Sequence, residues 1–262
     1  MNTRQTITHT HTQQPTMQAF LLAAGLGSRL KPLTDTMPKA LVPVAKRPLL
    51  DHTITKLQDS GVDKIVINIH HFAQQIKDYI ATHPYKADIS LSDESEQLLE
   101  TGGGLRFAKH LFATDEPILI HNVDILSNAD LKELYQRGSR HAAVLLVSQR
   151  ATTRYLLCDE NNRLVGWTNI ATGAVKSPYP NLDVEQCRRF AFSGIHTFSP
   201  TLFPLMSDYP EKFSIIDFYL NICDKVEIVC HPDEQLQLID VGKCDTLATA
   251  EALLTQQPIA FG

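Results

Sequence analysis

The chain has 262 residues, of which 43% are hydrophobic and 20% are charged, a balance that suits a folded domain with a substantial core. Its 24 Lys and Arg against 29 Asp and Glu leave a net charge of −5, so no general positive field favours nucleic acid and any phosphate site must be local. No apolar run reaches the roughly 20 residues that span a bilayer. Five widely spaced cysteines without a CxxC pair predict neither a disulfide framework nor a zinc site. We therefore expect a cytoplasmic protein without nucleic-acid or membrane partners, and its oligomeric state is left open.

Residues 1–16 are polar and rich in Thr, Gln and His, which predicts a flexible leader because a secretion signal needs an apolar stretch. After the leader, apolar strand patterns alternate with helical patterns. The predicted strands are 18–23, 64–70, 87–94, 117–126 and 141–149, and the predicted helices are 48–61, 72–83, 104–112 and 128–138. This alternation predicts an α/β fold, a three-layer and mostly parallel sheet with helices on both faces.

The pattern changes after residue 150. Residues 155–169 are typical of two short strands joined by an Asn-Asn turn, and 191–199 of another strand, which predicts a small antiparallel excursion. Residues 238–254 predict a strand, a glycine turn and a closing helix. Because the chain shows no internal repeat or low-complexity linker, residues 17–262 are predicted to form a single domain.

The segment "AAGLGSRLKPLTDTMPKALVPV", residues 23–44, follows the first predicted strand. Gly25 and Gly27 free the backbone to approach a ligand and to turn N–H groups toward an anion. Arg29, Lys31 and Lys39 add charge-assisted hydrogen bonds. The third glycine of a Rossmann fingerprint and the Gly-Lys-Ser/Thr of a Walker loop are both missing. The segment is therefore predicted to bind a polyphosphate by a different pattern.

A second glycine-rich segment, "LLETGGG" at residues 98–104, predicts a flexible loop before a helix, since three glycines are costly inside an element. Thr101 and the N–H groups of Gly102 and Gly103 offer donors to a nucleobase or a sugar. A plain helix N-terminus would explain these residues equally well.

Two carboxylates, Asp124 and Asp240, each follow a predicted strand near its carboxyl end, where ligands of parallel sheets bind. Together with phosphate oxygens, two carboxylates suit Mg²⁺. Taken singly, each Asp would also fit a turn or a helix cap.

Five motifs occur in the order "AAGLGSRLKPLTDTMPKALVPV", "LETGGG", "NVD", "FSGIH" and "DVG" between residues 17 and 254, and together they resemble the sugar-1-phosphate nucleotidylyltransferases. The resemblance implies a Rossmann-like nucleotidyltransferase fold in which residues 150–235 contribute most of the sugar-binding part. It implies that a sugar 1-phosphate and a nucleoside triphosphate react to give an NDP-sugar and pyrophosphate. The short length and "LETGGG" are most similar to members that use N-acetylmuramate 1-phosphate with UTP in cell-wall recycling. Mannose 1-phosphate with GTP, and glucose 1-phosphate with UTP or dTTP, stay open.

The resemblance also implies roles for residues. Arg29 and Lys39 would be the catalytic cations, and Asp124 and Asp240 would share Mg²⁺. The nucleotide would contact Ala23, Ala24, Gly25, Gly27, Ser28, Arg29, Thr101, Gly102, Gly103 and Asn122. The sugar would contact Ser193 and Gly194, and Asn169 and Asp217 are further candidates beside it. Val123 stands where the family commonly has glycine.

Two functions of other kinds stay open. A glycosyltransferase also binds a nucleotide and a metal, but it usually carries an Asp-x-Asp motif after a strand, in place of which this chain has "NVD" and a distant "DVG". A nucleotide-sensing regulator would bind nucleotide without releasing pyrophosphate.

Overall fold

The computed structural model describes residues 16–242 and 244–256, so the predicted leader lies outside the described residues except for Thr16. The described residues form fourteen strands and six α-helices, joined in places by short 3-10 turns. The strands are β1 (Met17–Leu22), β2 (Pro43–Val44), β3 (Arg47–Pro48), β4 (Val62–Ile69), β5 (Asp88–Asp93), β6 (Ile118–Asn122), β7 (Ile125–Ser127), β8 (Ala143–Ser148), β9 (Arg154–Cys158), β10 (Leu164–Asn169), β11 (Ala174–Lys176), β12 (Arg188–Phe198), β13 (Ile228–Pro232) and β14 (Leu238–Asp240). The helices are α1 (Leu49–Asp59), α2 (Ala73–Thr82), α3 (Glu100–Phe107), α4 (Leu131–Gly138), α5 (Ile215–Ile222) and α6 (Cys244–Gln256).

Ten strands form one mixed sheet in the order β11-β10-β9-β12-β6-β1-β4-β5, with β8 paired to β12 and β13 to β8. Its core is parallel, because β6, β1, β4 and β5 all run in the same direction. β12 joins this core antiparallel to β6, and β9, β10 and β11 continue antiparallel from β12. The predicted α/β fold with a small antiparallel excursion is confirmed. No helix in the described part of the chain is long and apolar enough to cross a membrane.

The central parallel strands β1, β4 and β6 are largely apolar because most of their residues are buried on both faces, whereas β5, at the edge of the sheet, is polar and only partly buried. Successive side chains of a strand point to opposite faces, so Leu21 of β1 packs in one core cluster and Phe20 in another. The cluster around Leu21 includes side chains of α1, α2, α4 and α6. The cluster around Phe20 includes side chains of α3 and α5. The two clusters lie on opposite faces of the sheet, so the fold has three layers: helices, sheet and helices.

The helix predicted at 104–112 begins earlier than expected. α3 starts at Glu100, so the three glycines predicted to lie in a flexible loop are inside a helix. A Cβ at Gly103 would lie 2.2 Å from the Glu211 carbonyl oxygen, and one at Gly102 would lie 2.4 Å from the Phe213 ring. The glycines let α3 pack directly on the segment 211–213, which explains why a helix keeps them.

The strand predicted at 117–126 is also different, since it is interrupted at Val123 and Asp124. β6 ends at Asn122, and β7 pairs with β14 in a separate two-stranded sheet in which Ile125 lies opposite Asp240. The Val241 N–H donates to the Asp124 carbonyl oxygen at 2.8 Å. The interruption therefore brings the two predicted aspartates together.

Candidate active site

A cleft of about 420 Å³ lies at the carboxyl ends of three parallel strands. Leu22, Asn68 and Asn122, which are at or next to the ends of β1, β4 and β6, all line it. Ligands of open α/β sheets bind at this edge. The other lining residues come from the loop after β1, the 98–101 segment, Lys39, Val123, Asp124 and Ser214.

The loop after β1 presents open backbone to this cleft. Gly25 lines the cleft, and no atom lies within 4 Å of the position that a Cβ on it would take. Gly27 has a left-handed φ of 64°, and the Thr34 hydroxyl donates to its carbonyl oxygen at 2.8 Å. Ser28 then begins a 3-10 turn. The loop is braced at Gly27 and open at Gly25, as backbone that contacts a ligand would be.

Four predicted charged residues form one cluster beside the loop. The Lys39 ammonium donates to the Asp124 carboxylate in an ion pair whose side chains are 12% and 14% exposed. The pKa of Asp240 is raised, mainly by partial burial and secondly by the negative charge of Asp124. The positive charges of Lys39 and Arg29 lower that pKa and partly offset the rise. Asp240 still reaches solvent. A Cβ at Gly242 would lie 2.6 Å from Asp240 Oδ1 and 3.0 Å from Arg29 Nη2, so the Asp240 carboxylate and the Arg29 guanidinium both lie next to this glycine.

This pair of carboxylates fits Mg²⁺. Asp124 and Asp240 are close enough for the charge of one to disfavour ionisation of the other, and a cation between them would relieve that repulsion. Within residues 16–242 and 244–256, no group of three or more His, Cys, Asp or Glu side chains is arranged to hold a metal. The donor set would be two carboxylates completed by substrate and water oxygens, which is the usual arrangement for Mg²⁺.

The second glycine-rich segment contributes less open backbone than its sequence predicts. The N–H groups of Gly102 and Gly103 donate to the Phe213 carbonyl oxygen at 2.9 and 3.2 Å, and the Thr101 hydroxyl accepts from the Ile215 N–H at 2.9 Å. The two glycine N–H donors are used within the chain, and the contact of Thr101, Gly102 and Gly103 with a nucleotide stays a prediction. Leu98, Glu100 and Thr101 are the members of the segment that line the cleft.

The four residues predicted for the sugar are not among those that line the cleft. The Ser193 hydroxyl is buried and donates to the Leu146 carbonyl oxygen at 2.7 Å. Gly194 has a φ of 80°, and a Cβ on it would lie 2.8 Å from Asn122 Nδ2, so glycine lets the Asn122 amide approach β12. Asn169 ends β10 and accepts from a backbone N–H two residues on, and Asp217 pairs with Lys176 at 2.7 Å. Their contact with a sugar stays a prediction.

A larger cavity of about 960 Å³ is lined by the segment 93–99, by α3 and its following turn, and by Glu211. The carboxylates that line it are Asp93, Glu94, Glu96 and Glu211, against two cations, Arg106 and Lys109. The Arg106 guanidinium already donates to three backbone carbonyl oxygens between Met206 and Pro210. This excess of negative charge does not suit a triphosphate, and the smaller cleft is the better candidate.

Residues 18–257 match the family profile described as nucleotidyl transferase. The chain belongs to this family. Similar curated proteins include N-acetylmuramate alpha-1-phosphate uridylyltransferases of Caulobacter vibrioides, 41% identical over 40% of this chain and 45% of the relative, and of Neisseria meningitidis, 39% identical over 47% and 53%. A mannose-1-phosphate guanyltransferase of Hypocrea jecorina is 33% identical over 48% of this chain and 35% of the relative. The chain spans about half the length of the first two of these nucleotidyl transferases and about a third of the last.

Solved structures of other proteins share the fold. A UDP-glucose pyrophosphorylase from Acinetobacter baumanii superimposes with a TM-score of 0.75 at 16% identity, covering 94% of this chain and 96% of that one. HddC from Yersinia pseudotuberculosis, complexed with GMP-PN, gives a TM-score of 0.70 at 21% identity, covering 90% and 99%. At these identities the likeness shows the fold.

Sequence reasoning missed Asn68 and Glu94. Asn68 is 2% exposed and lines the cleft, and its side chain reaches both the loop after β1 and Glu94. The signal was a lone amide inside the apolar strand "KIVINIH", because a buried amide needs partners. Glu94 follows β5 and is 3% exposed, which the sequence around it does not indicate.

Proposed function

We propose that the protein is a sugar-1-phosphate nucleotidylyltransferase, which joins a sugar 1-phosphate to a nucleoside triphosphate and releases pyrophosphate. The observation that carries the proposal is the pairing of Lys39 with Asp124 in a cleft that also contains the open backbone of Gly25. Membership of the nucleotidyl transferase family supports it. A cation, a carboxylate and open backbone together match what a triphosphate and its counterion need.

The reaction requires no protein nucleophile. The phosphate of a sugar 1-phosphate is anionic at neutral pH and attacks the α-phosphorus, while pyrophosphate leaves. The barrier comes from bringing two anions together with the attacking oxygen, the α-phosphorus and the leaving pyrophosphate in line. Lys39 and Arg29 would neutralise the phosphate oxygens as the charge is redistributed in the transition state. The phosphates would compete with Asp124 for the Lys39 ammonium.

Asp124 and Asp240 would hold Mg²⁺. When bound, the ion would supply positive charge to the reacting phosphate and pyrophosphate oxygens. We expect a chelator to abolish pyrophosphate release and added Mg²⁺ to restore it. Asp240→Asn should raise the Mg²⁺ concentration that gives half of the maximal rate, whereas Asp208→Asn, the same change at an exposed position outside the cleft, should leave that concentration unaltered.

For the substrates we propose N-acetylmuramate 1-phosphate and UTP, in a cytoplasmic cell-wall recycling reaction. The support is the resemblance of "LETGGG" and the two relatives at 41% and 39% identity that carry this activity in their names. The relative named for mannose 1-phosphate and guanylyl transfer, at 33% identity, makes mannose 1-phosphate with GTP the second candidate.

The test is pyrophosphate release measured for UTP, GTP, dTTP and CTP, each combined with N-acetylmuramate, mannose and glucose 1-phosphates. We expect the highest kcat/KM for N-acetylmuramate 1-phosphate with UTP. A higher value for another pair would replace the substrates and keep the reaction. Nucleotide binding without pyrophosphate release from any pair would show a nucleotide-sensing regulator and overturn the proposal.

A further inference from the structure

A buried chain of hydrogen bonds joins the two glycine-rich segments. Asn68 Oδ1 accepts from the backbone N–H groups of Ala23 and Ala24, at 2.7 and 3.3 Å. Asn68 Nδ2 donates to Glu94 Oε1 at 2.8 Å. Glu94 Oε2 accepts from the Leu99 N–H at 3.1 Å. The end of β1 is thereby tied through two side chains to the residue before α3.

The groups at the two ends of this chain of hydrogen bonds determine which side-chain atoms donate and which accept. Ala23, Ala24 and Leu99 all present N–H donors. The Asn68 oxygen must face Ala23 and Ala24, so its NH₂ group must face Glu94. Glu94 then has to accept on both carboxylate oxygens, which an ionised carboxylate does and a glutamine cannot, because its own NH₂ would meet a donor.

The surroundings hold the Glu94 carboxylate in this position. It is 3% exposed, and a Cβ at Gly104 would lie 2.5 Å from its Oε1, so only glycine leaves room for it in α3. His70 Nδ1 is 2.6 Å from the Glu94 carbonyl oxygen and braces its backbone. Burial raises the pKa of the Glu94 carboxyl, and the donors from Asn68 and Leu99 counter that effect.

We propose that Asn68 and Glu94 form a clamp that positions the loop at Ala23 and Ala24 against the segment that begins at Leu99, the two walls between which the nucleotide binds. The inference rests on the proposed function for the identity of the ligand. Glu94 is not among the residues that line the cleft, so it acts through Asn68 and Leu99 and is a positioning residue. The clamp affects the nucleotide rather than the sugar phosphate, because it spans the walls predicted for the nucleotide.

The test exchanges the amide and the carboxylate between the two clamp residues, Asn68 and Glu94. Glu94→Gln alone turns an NH₂ group toward a donor, either the Asn68 NH₂ or the Leu99 N–H, and Asn68→Asp alone places two carboxylates face to face. Combining Asn68→Asp with Glu94→Gln restores every hydrogen bond, since the new carboxylate accepts from Ala23, Ala24 and the new amide, whose oxygen accepts from Leu99. Asn181→Asp and Glu160→Gln make the same chemical changes at exposed positions outside the cleft and serve as controls.

We expect each single variant to raise the KM for UTP about tenfold, as loss of a supporting hydrogen bond does at other sites. The KM for the sugar phosphate and kcat should change by less than about threefold, and the double variant should bind UTP within about threefold of the natural chain. A double variant no better than the worse single variant would overturn the clamp. So would single variants that lower stability or kcat and leave the KM for UTP unchanged.

Two readouts keep this result separate from the proposed function. UTP affinity is measured by calorimetry without turnover, so a chain that releases no pyrophosphate still tests the clamp. Hydrogen exchange at Ala23, Ala24 and Leu99 needs no nucleotide: it should be faster in both single variants and return to its original rate in the double variant. If a single variant does not fold, a folded double variant with protected amides supports the clamp, and a double variant that also fails to fold overturns it.

Discussion

The two glycine-rich segments look alike in sequence and serve opposite purposes in the structure. At Gly25, a side chain would meet nothing within 4 Å, and the glycine lines the cleft. At Gly102, Gly103 and Gly104, a Cβ would lie 2.4, 2.2 and 2.5 Å from other parts of the same chain. The first segment leaves room for a ligand, and the second leaves room for the protein itself. Glycine content alone does not distinguish these uses.

The largest effect is expected for Gly103→Ala. In a helix with free space, alanine would stabilise by about 1 kcal/mol relative to glycine. Here the added methyl group meets the Glu211 carbonyl oxygen, and that backbone is itself held by the contacts of Phe213 with α3. We expect the free energy of unfolding, measured in urea, to fall by about 3 kcal/mol or more. A rise in stability would show that the segment is not packed in this way.

A smaller loss of stability is expected for Gly27→Ala, because Gly27 is the position of the first segment that packs against Thr34. Its φ of 64° disfavours alanine, and the Cβ would lie 2.7 Å from Thr34 Cγ2. We expect a loss of about 2 kcal/mol, of which about 1 comes from the left-handed backbone. Gly173→Ala is the matched control, since Gly173 has a φ of 72° with no atom within 4 Å. Equal losses in the two variants would contradict a role for the Thr34 contact.

The smallest effect on stability is expected for Gly25→Ala. Its φ lies outside the left-handed region and its surroundings are open, so the free energy of unfolding should change by less than about 0.5 kcal/mol. The methyl group would project into the space proposed for the nucleotide, and we expect the KM for UTP to rise about tenfold. An unchanged KM would show that the nucleotide does not contact this glycine.

The order of strands and helices was predictable because the central parallel strands, buried on both faces, are largely apolar, and the helices that cover them are amphipathic. The grouping of Lys39, Asp124 and Asp240 agrees with the strand-end positions of the two aspartates. The interruption of the predicted strand after Asn122 was not predictable, since it depends on pairing between β7 and β14, which are more than 100 residues apart in the chain. Local patterns carry no information about such partners.

The residues predicted to contact the sugar also have partners that local sequence patterns do not show. The resemblance implies a sugar contact for Ser193 from its place in "FSGIH", and this contact stays a prediction, but the hydroxyl donates to the Leu146 carbonyl oxygen at 2.7 Å. The strand β8 that carries Leu146 is distant in sequence, so the partner is visible only in the fold. Asn68 is the converse case, a residue that the fold brings to the cleft through its place in β4.

The central claim is that Lys39 stabilises the phosphates that react, and its most direct test is pyrophosphate release by Lys39→Ala beside Lys31→Ala. Lys31 belongs to the same segment, and its sequence position predicts a phosphate contact for it too, but it is not among the residues that line the cleft and it pairs with Asp35 at 3.1 Å on an exposed surface. With both variants shown to be folded by their melting temperatures, kcat/KM should fall at least about 30-fold for Lys39→Ala, equivalent to about 2 kcal/mol of barrier. It should stay within about threefold for Lys31→Ala. A Lys39→Ala variant that releases pyrophosphate as fast as the Lys31→Ala variant would contradict the account.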